Sequence, residues 1–202
     1  MKKKGFLVTI ASPSGGGKST ICREILKLNN SFTYSISWTT RPLRGEEIDG
    51  KDYFFTDVED FKKKIKADYF LEYAKVHGNY YGTSKEYINQ RIADELVVLL
   101  DIDVQGVQLI KKQNYPVVSI FILPPDVDIL RQRLKARGTD AKDTVKIRMA
   151  NSLKEIEYIG DYDYLVINDD LKQAIDEVDC ILSAEMNRVS RYVNPIEQFL
   201  KR

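Results

Sequence analysis

Residues 6–26 read Phe6-Leu7-Val8-Thr9-Ile10-Ala11-Ser12-Pro13-Ser14-Gly15-Gly16-Gly17-Lys18-Ser19-Thr20-Ile21-Cys22-Arg23-Glu24-Ile25-Leu26. A short apolar run leads into a glycine-rich turn, then Gly-Lys-Ser, then a helical pattern. Strand, turn and helix in that order are the context a phosphate-binding loop requires. The glycines let successive backbone N–H groups turn inward around an anion. A helix starting near Lys18 adds the positive end of its dipole. Lys18 is placed to reach the β- and γ-phosphates, and the Ser19 hydroxyl to ligate Mg²⁺. Residues Ser14, Gly15, Gly16, Gly17, Lys18, Ser19 and Thr20 are therefore the expected ATP contacts. One position departs from G-x-x-x-x-G-K-[ST]: Ser12 stands where the pattern has glycine. That change is expected to alter the entry angle of the loop without removing its phosphate-binding groups.

Other apolar runs share the character of Phe6–Ala11. They are 96–100, 117–122 and 164–167, near-continuous rather than alternating. Strands covered on both faces of a parallel sheet read this way. Helical patterns fall between them at 20–28, 104–112, 127–136, 144–158 and 171–189. The predicted fold class is α/β, a parallel sheet core with helices on both faces. Residues 32–90 break the alternation. They are rich in aromatics, and Asp49-Gly50-Lys51 reads as a hairpin turn. A mixed or antiparallel subdomain inserted in the core is expected there. A second polar segment, Arg137-Gly138-Thr139-Asp140-Ala141-Lys142-Asp143, reads as a lid over phosphates within about 137–148. The chain of 202 residues is thus read as one domain, 1–202, with two insertions.

Lys plus Arg total 31 and Asp plus Glu 30. This balance argues against a broad nucleic-acid footprint. No run approaches the ~20 apolar residues of a membrane helix, and nothing resembles a signal peptide. A cytoplasmic protein is expected, with Cys22 and Cys180 as reduced thiols. His77 reads as a loop histidine. It cannot build a zinc site with two distant cysteines.

Two further clusters carry chemistry. Val97-Val98-Leu99-Leu100-Asp101-Ile102-Asp103 is a buried strand ending in acids, at the edge where an α/β sheet places its ligand crevice. Asp101 is positioned to help hold Mg²⁺ or its waters. Ser37-Trp38-Thr39-Thr40-Arg41-Pro42-Leu43-Arg44 carries two arginines suited to a phosphate monoester. Tyr53 and Tyr81 follow downstream. A solvated basic turn beside core tyrosines fits these residues as well.

Together the motifs are similar to the guanylate kinase family. The likeness runs from Pro13-Ser14-Gly15 through Gly17-Lys18, then from Ser35 to Arg44 and Asp49 to Phe55. It continues in Gly78-Asn79-Tyr80-Tyr81-Gly82, in Leu100 to Gly106, in Pro124-Pro125, in Arg133 to Thr139 and in Val166 to Asp170. The pieces stand in family order across nearly the whole chain. The resemblance implies Mg²⁺-dependent transfer from ATP to GMP or dGMP. It assigns Ser37, Glu72, Thr83 and Asp103 to guanine, and Arg41, Arg44, Tyr53 and Tyr81 to the GMP phosphate. It assigns Lys18, Arg133, Arg137 and Arg148 to the transferring phosphoryl group, and Asn168 to the ATP side near the adenine. Glu72 and Asp103 are acceptors that match guanine N1–H and its amino group. Trp38 departs from the family, as does Thr83, which keeps the hydroxyl of a more usual serine. Two other functions remain open at this stage. One is a guanylate-kinase-like protein-interaction module without activity. The other is a kinase for another nucleotide.

Overall fold

The computed structural model describes residues 1–200 except His77, Asp103, Asn114 and 137–141, and it does not describe the side chains of residues 136 and 142–146. The chain alternates strand and helix as follows. Strand β1 (Phe6–Ala11) is followed by helix α1 (Lys18–Leu28) and by β2 (Phe32–Tyr34), β3 (Trp38–Thr39) and β4 (Phe54–Phe55). Next come α2 (Val58–Lys66), β5 (Phe70–Val76), β6 (Asn79–Ser84), α3 (Lys85–Ala93), β7 (Val97–Leu100) and α4 (Val104–Lys111). The chain continues through β8 (Val117–Leu123), α5 (Val127–Ala136), α6 (Lys142–Ile156), β9 (Tyr164–Ile167), α7 (Leu171–Met186) and α8 (Pro195–Leu200).

Strands β2, β7, β1, β8 and β9 hydrogen-bond in that order, every neighbouring pair parallel. Alternate side chains explain their continuous apolar character. Val8, Ile10, Leu99 and Ile120 pack on one face with Ile21 and Ile25 of α1 and Val178 and Leu182 of α7. Leu7, Val98 and Leu100 pack on the other with Ile88 of α3 and Val107 and Ile110 of α4. Both faces are dry, so neither tolerates a polar alternation. The strand runs and helices read from the sequence all appear, within a few residues at their ends. Residues 32–34, read with the insertion, instead pair with β7 at the edge of this sheet. The departure from the core begins after Tyr34.

The second sheet has the order β4-β3-β6-β5 and is mixed. β3 pairs with β4 in parallel, while β6 pairs antiparallel with β3 and β5. The Asp49-Gly50 turn is present, with Gly50 at φ 74° and its N–H donating to the Tyr53 carbonyl at 2.8 Å. It is not a hairpin, because the strands on either side of it run parallel. Register is set by packing. Trp38 stacks on Phe54 with ring centroids 5.0 Å apart, meets the edge of Tyr69 at 5.9 Å, and carries the Lys64 ammonium 4.4 Å above its ring. Trp38 thus supports this sheet by aromatic packing. Phe61, Phe70 and Tyr80 form a second stack.

Candidate active site

α1 starts on Gly17, whose φ of 97° is left-handed and whose side-chain-free Cα presses on the Asn168 amide. No side chain caps this helix, so its first N–H groups point into the loop and are left for a ligand. The Asn168 side chain is buried beneath the loop and donates from Nδ2 to the Gly16 carbonyl at 2.7 Å. Its Oδ1 has no hydrogen-bond partner among the described residues. Asn168 therefore holds the loop from below. Its own carbonyl accepts a hydrogen bond from Arg133 Nη2 at 2.9 Å, which joins that arginine to the same support. Ser12 does not have a positive φ, so serine fits there without backbone strain. It packs against Gly16, where an added Cβ would lie 2.8 Å from the Ser12 Cβ.

Lys18 leaves the loop and pairs with Asp101, at the end of β7. Burial alone would lower the lysine pKa. The Asp101 charge and hydrogen bond outweigh it and hold Lys18 above its ordinary value. Burial pushes the neighbouring Cys22 thiol up to about 12, and Asp101 adds to the shift, so this cysteine stays protonated and unreactive. Tyr34 is raised first by burial and then by the field of Asp101.

Two concavities adjoin. One, of about 190 Å³, is lined by Ser12 to Gly15 and Gly17 to Ser19 of the phosphate loop and by Glu155. The other, of about 260 Å³, lies between the two sheets. It is lined by Lys18 and Asp101 on the core side and by Ser37, Tyr53, Glu72 and Tyr81 on the other. Ser12, Lys18 and Glu155 belong to both.

A register shift between Phe70 and Glu72 sets the far wall. The bulge turns Glu72 toward the cleft while Phe70 packs on Phe61. Glu72 is 5% exposed and accepts a hydrogen bond from the Thr83 hydroxyl at 2.6 Å. On its other side stands Gly106 of α4, where a Cβ would come within 3.0 Å of Glu72 Oε2. Thr83 is fully buried, and its proton goes to Glu72. Thr83 thus also supports the carboxylate, and Ser37 lines the cleft on the same side.

Arg41 is 6% exposed and lies over the rings of Tyr53 and Phe55, 5.2 and 5.7 Å from their centroids. Tyr53 and Tyr81 stand edge to face with centroids 6.1 Å apart. Arg41 forms a two-pronged ion pair with Glu47 at 2.7 and 2.9 Å. That bond first, then the Arg44 N–H and the charges of both arginines, hold the Glu47 carboxyl below its usual range against the effect of burial. Arg44 is exposed; its backbone N–H donates to the Glu47 carboxylate at 2.8 Å and its carbonyl accepts from the Glu47 N–H at 3.1 Å.

The structure thus brings Lys18, Asp101, Ser37, Tyr53, Glu72 and Tyr81 to one cleft, with Arg41 and Thr83 directly behind its wall. Ser14, Gly15, Gly17 and Ser19 line the adjoining loop, and Gly16 and Thr20 sit within its turns. Asn168 lies under the loop. Arg148 is half-buried on α6. Asp103, Arg137 and His77 lie outside the described residues, as does part of the 137–148 segment. Sequence reasoning missed Glu47 and Glu155. For Glu47 the available signal was an acid three residues past Arg44. For Glu155 there was none beyond its place on a helix.

The family model described as guanylate kinase matches residues 4–185. A guanylate kinase of Rickettsia prowazekii is 47% identical over 184 residues, covering 91% of this chain and 93% of that one. One from Caldanaerobacter subterraneus subsp. tengcongensis is 43% identical, covering 95% and 93%. The crystal structure of guanylate kinase from Anaplasma phagocytophilum superposes with a TM-score of 0.82 at 30% identity, covering 100% of this chain and 97% of that one. A phosphate loop held by Asn168, a lysine paired to the end of β7 and a buried glutamate across the cleft agree with that match, and the chain belongs to the guanylate kinase family.

Proposed function

We propose that this protein transfers the γ-phosphoryl group of ATP to GMP or dGMP, giving ADP and GDP or dGDP. The observation that carries this reading is the continuity of the two concavities through Lys18. ATP on the loop and a monophosphate between the sheets would meet at that lysine. An acceptor phosphate oxygen attacks the γ-phosphorus as the bond to the β–γ bridging oxygen breaks. Little covalent help is needed, and positioning with cationic stabilisation supplies the rate. Lys18 supplies charge at the transferring group. Arg133, fixed on the Asn168 carbonyl, Arg148 and Arg137 are assigned to the same charge.

Base selection follows from Glu72. A buried carboxylate accepts hydrogen bonds and matches the N1–H and amino group of guanine, whereas the bare N1 of adenine would face its lone pair. A site with such an unmatched polar group discriminates by about 10⁴–10⁵-fold. Ser37 and Asp103 are assigned to the same base. Arg41, Arg44, Tyr53 and Tyr81 are assigned to the acceptor phosphate.

Ser19 and Asp101 offer a hydroxyl and a carboxylate oxygen beside the loop, the hard donors that suit Mg²⁺, which takes its remaining ligands from phosphates and water. When bound, the ion neutralises charge between the β- and γ-phosphates. Both cysteines are free thiols, which suits the reducing cytoplasm. No described helix is long and apolar enough to cross a membrane. The phosphate loop keeps Lys18 and Ser19, and the end of β7 keeps Asp101, so nothing favours an inactive interaction module.

An ADP-release assay across GMP, dGMP, AMP, UMP and CMP tests the proposal. GMP and dGMP are expected to be preferred. Comparable kcat/KM with AMP would reject the guanine assignment.

A further inference from the structure

Glu47 takes hydrogen bonds that an acceptor phosphate would otherwise compete for, and the donor count decides between sharing and displacement. A guanidinium has five N–H donors in a fixed plane. Arg41 Nη1 gives one proton to the Pro42 carbonyl at 2.7 Å and the other to Glu47 Oε2 at 2.9 Å. Nη2 gives one to Glu47 Oε1 at 2.7 Å. The two protons that remain, on Nε and Nη2, share the other edge of the plane, and the Tyr81 hydroxyl also hydrogen-bonds this guanidinium. Those two protons form a second fork of the same shape, suited to two oxygens of a phosphate. Glu47 Oε2 also accepts from the Arg44 N–H at 2.8 Å. The carboxylate therefore ties both arginines of the turn together. Leaving would cost it all three contacts.

We propose that Glu47 is a positioning residue of the acceptor-phosphate site: it holds the end of the Arg41 guanidinium and so presents the side edge to the monophosphate. This rests on the acceptor site assigned above. Arg41 is stacked over Tyr53 and Phe55, so a guanidinium fixed in its plane at one end has one orientation at the other. Glu47 stays in place when the acceptor binds. Its charge offsets part of the arginine charge, which is the cost of fixing the geometry.

The test uses Glu47→Gln in the full chain. A glutamine accepts one Arg41 N–H and turns an amide donor toward the other, so the fork fails while size is kept. With the monophosphate that the wild type uses best, KM is expected to rise about tenfold, in line with loss of one charge-assisted contact. The KM for ATP should stay unchanged, and so should inhibition by guanosine, which lacks the phosphate. Glu47→Asp keeps the charge but is too short to span Arg41 and the Arg44 N–H, and is expected to fall between. A lower KM in Glu47→Gln would show that Glu47 merely fills the phosphate's place, and would overturn the proposal. An unchanged KM would overturn it too. Because each value is a ratio to the wild type, failure of the wild type to prefer GMP would reject the guanine assignment and not this inference.

Discussion

At the residue scale, Gly17 is held in a tight place. A side chain there meets two separate obstacles, the left-handed φ of 97° and the Asn168 amide. The first costs about 1–2 kcal/mol for alanine. The second displaces the Nδ2 that holds the Gly16 carbonyl. Gly17→Ala is therefore expected to lose more stability than the φ cost alone, and to weaken ATP binding. Asn168→Ala removes the collision, so the two substitutions together should cost less than the sum of their separate costs. A double-mutant cycle by urea unfolding measures this. Strict additivity would show that the two residues do not press on each other. Gly17 was legible from its motif. Asn168 was read only as a nucleotide contact near the adenine; its hold on the loop from below was not legible, because a motif does not say on which side of a loop a side chain lies.

At the scale of elements, β9 is joined to β8 by more than its ladder. Asp163, just before β9, accepts from the Ser119 N–H at 2.8 Å and the Ser119 hydroxyl at 2.7 Å. Burial would raise its pKa, but the Ser119 hydrogen bonds and the charge of Lys111 override it and hold it below 3.8. A carboxylate with a depressed folded-state pKa adds stability above its unfolded value and loses it as pH falls through the folded value. Wild type should thus lose more stability than Asp163→Asn between about pH 5 and pH 2. The two stability curves are expected to converge at the acid end. Parallel curves from chemical denaturation across that range would show that Asp163 does not titrate with unfolding. The strands themselves were largely readable, because four of the five in this sheet are continuous apolar runs. β2 was not, since Phe32-Thr33-Tyr34 is short and runs straight into the aromatic segment. The Asp49-Gly50 pair encoded its turn but not the pairing of its neighbours. A dipeptide fixes local φ, whereas the stack of Trp38 on Phe54 fixes which strands lie side by side.

At the scale of the molecule, the cleft has its walls on different sheets. Lys18 and Asp101 belong to the core, while Glu72, Tyr53 and Tyr81 belong to the second sheet. That sheet leaves the core after Tyr34 and returns through α3. Its β5 strand rests on the core through contacts such as Gln113 Nε2 to the Leu71 carbonyl at 2.6 Å. In the proposed reading ATP lies on the core wall and the monophosphate reaches from the second sheet to the core, so both together hold the walls most firmly. A bisubstrate analogue should then reduce the radius of gyration in solution scattering more than ATP or GMP alone. Hydrogen exchange should slow in β5 and β6. Unchanged scattering with the analogue bound would reject closure and leave the kinase reading intact. The division into a core and a second sheet was legible as a break in hydrophobic pattern. Glu47 was not, because its partner is chosen by the path of an irregular turn, and no periodicity records that path.

The pairing of Lys18 with Asp101 has a kinetic side. A lysine that already holds a carboxylate does not wait for its phosphate alone. It exchanges one partner for another, and the first remains tethered within reach. Such an internal competitor cannot be diluted, since its effective concentration is set by the fold. In the proposed reading it would therefore limit how tightly a product can be kept, and each departing nucleotide would leave a lysine with somewhere to go.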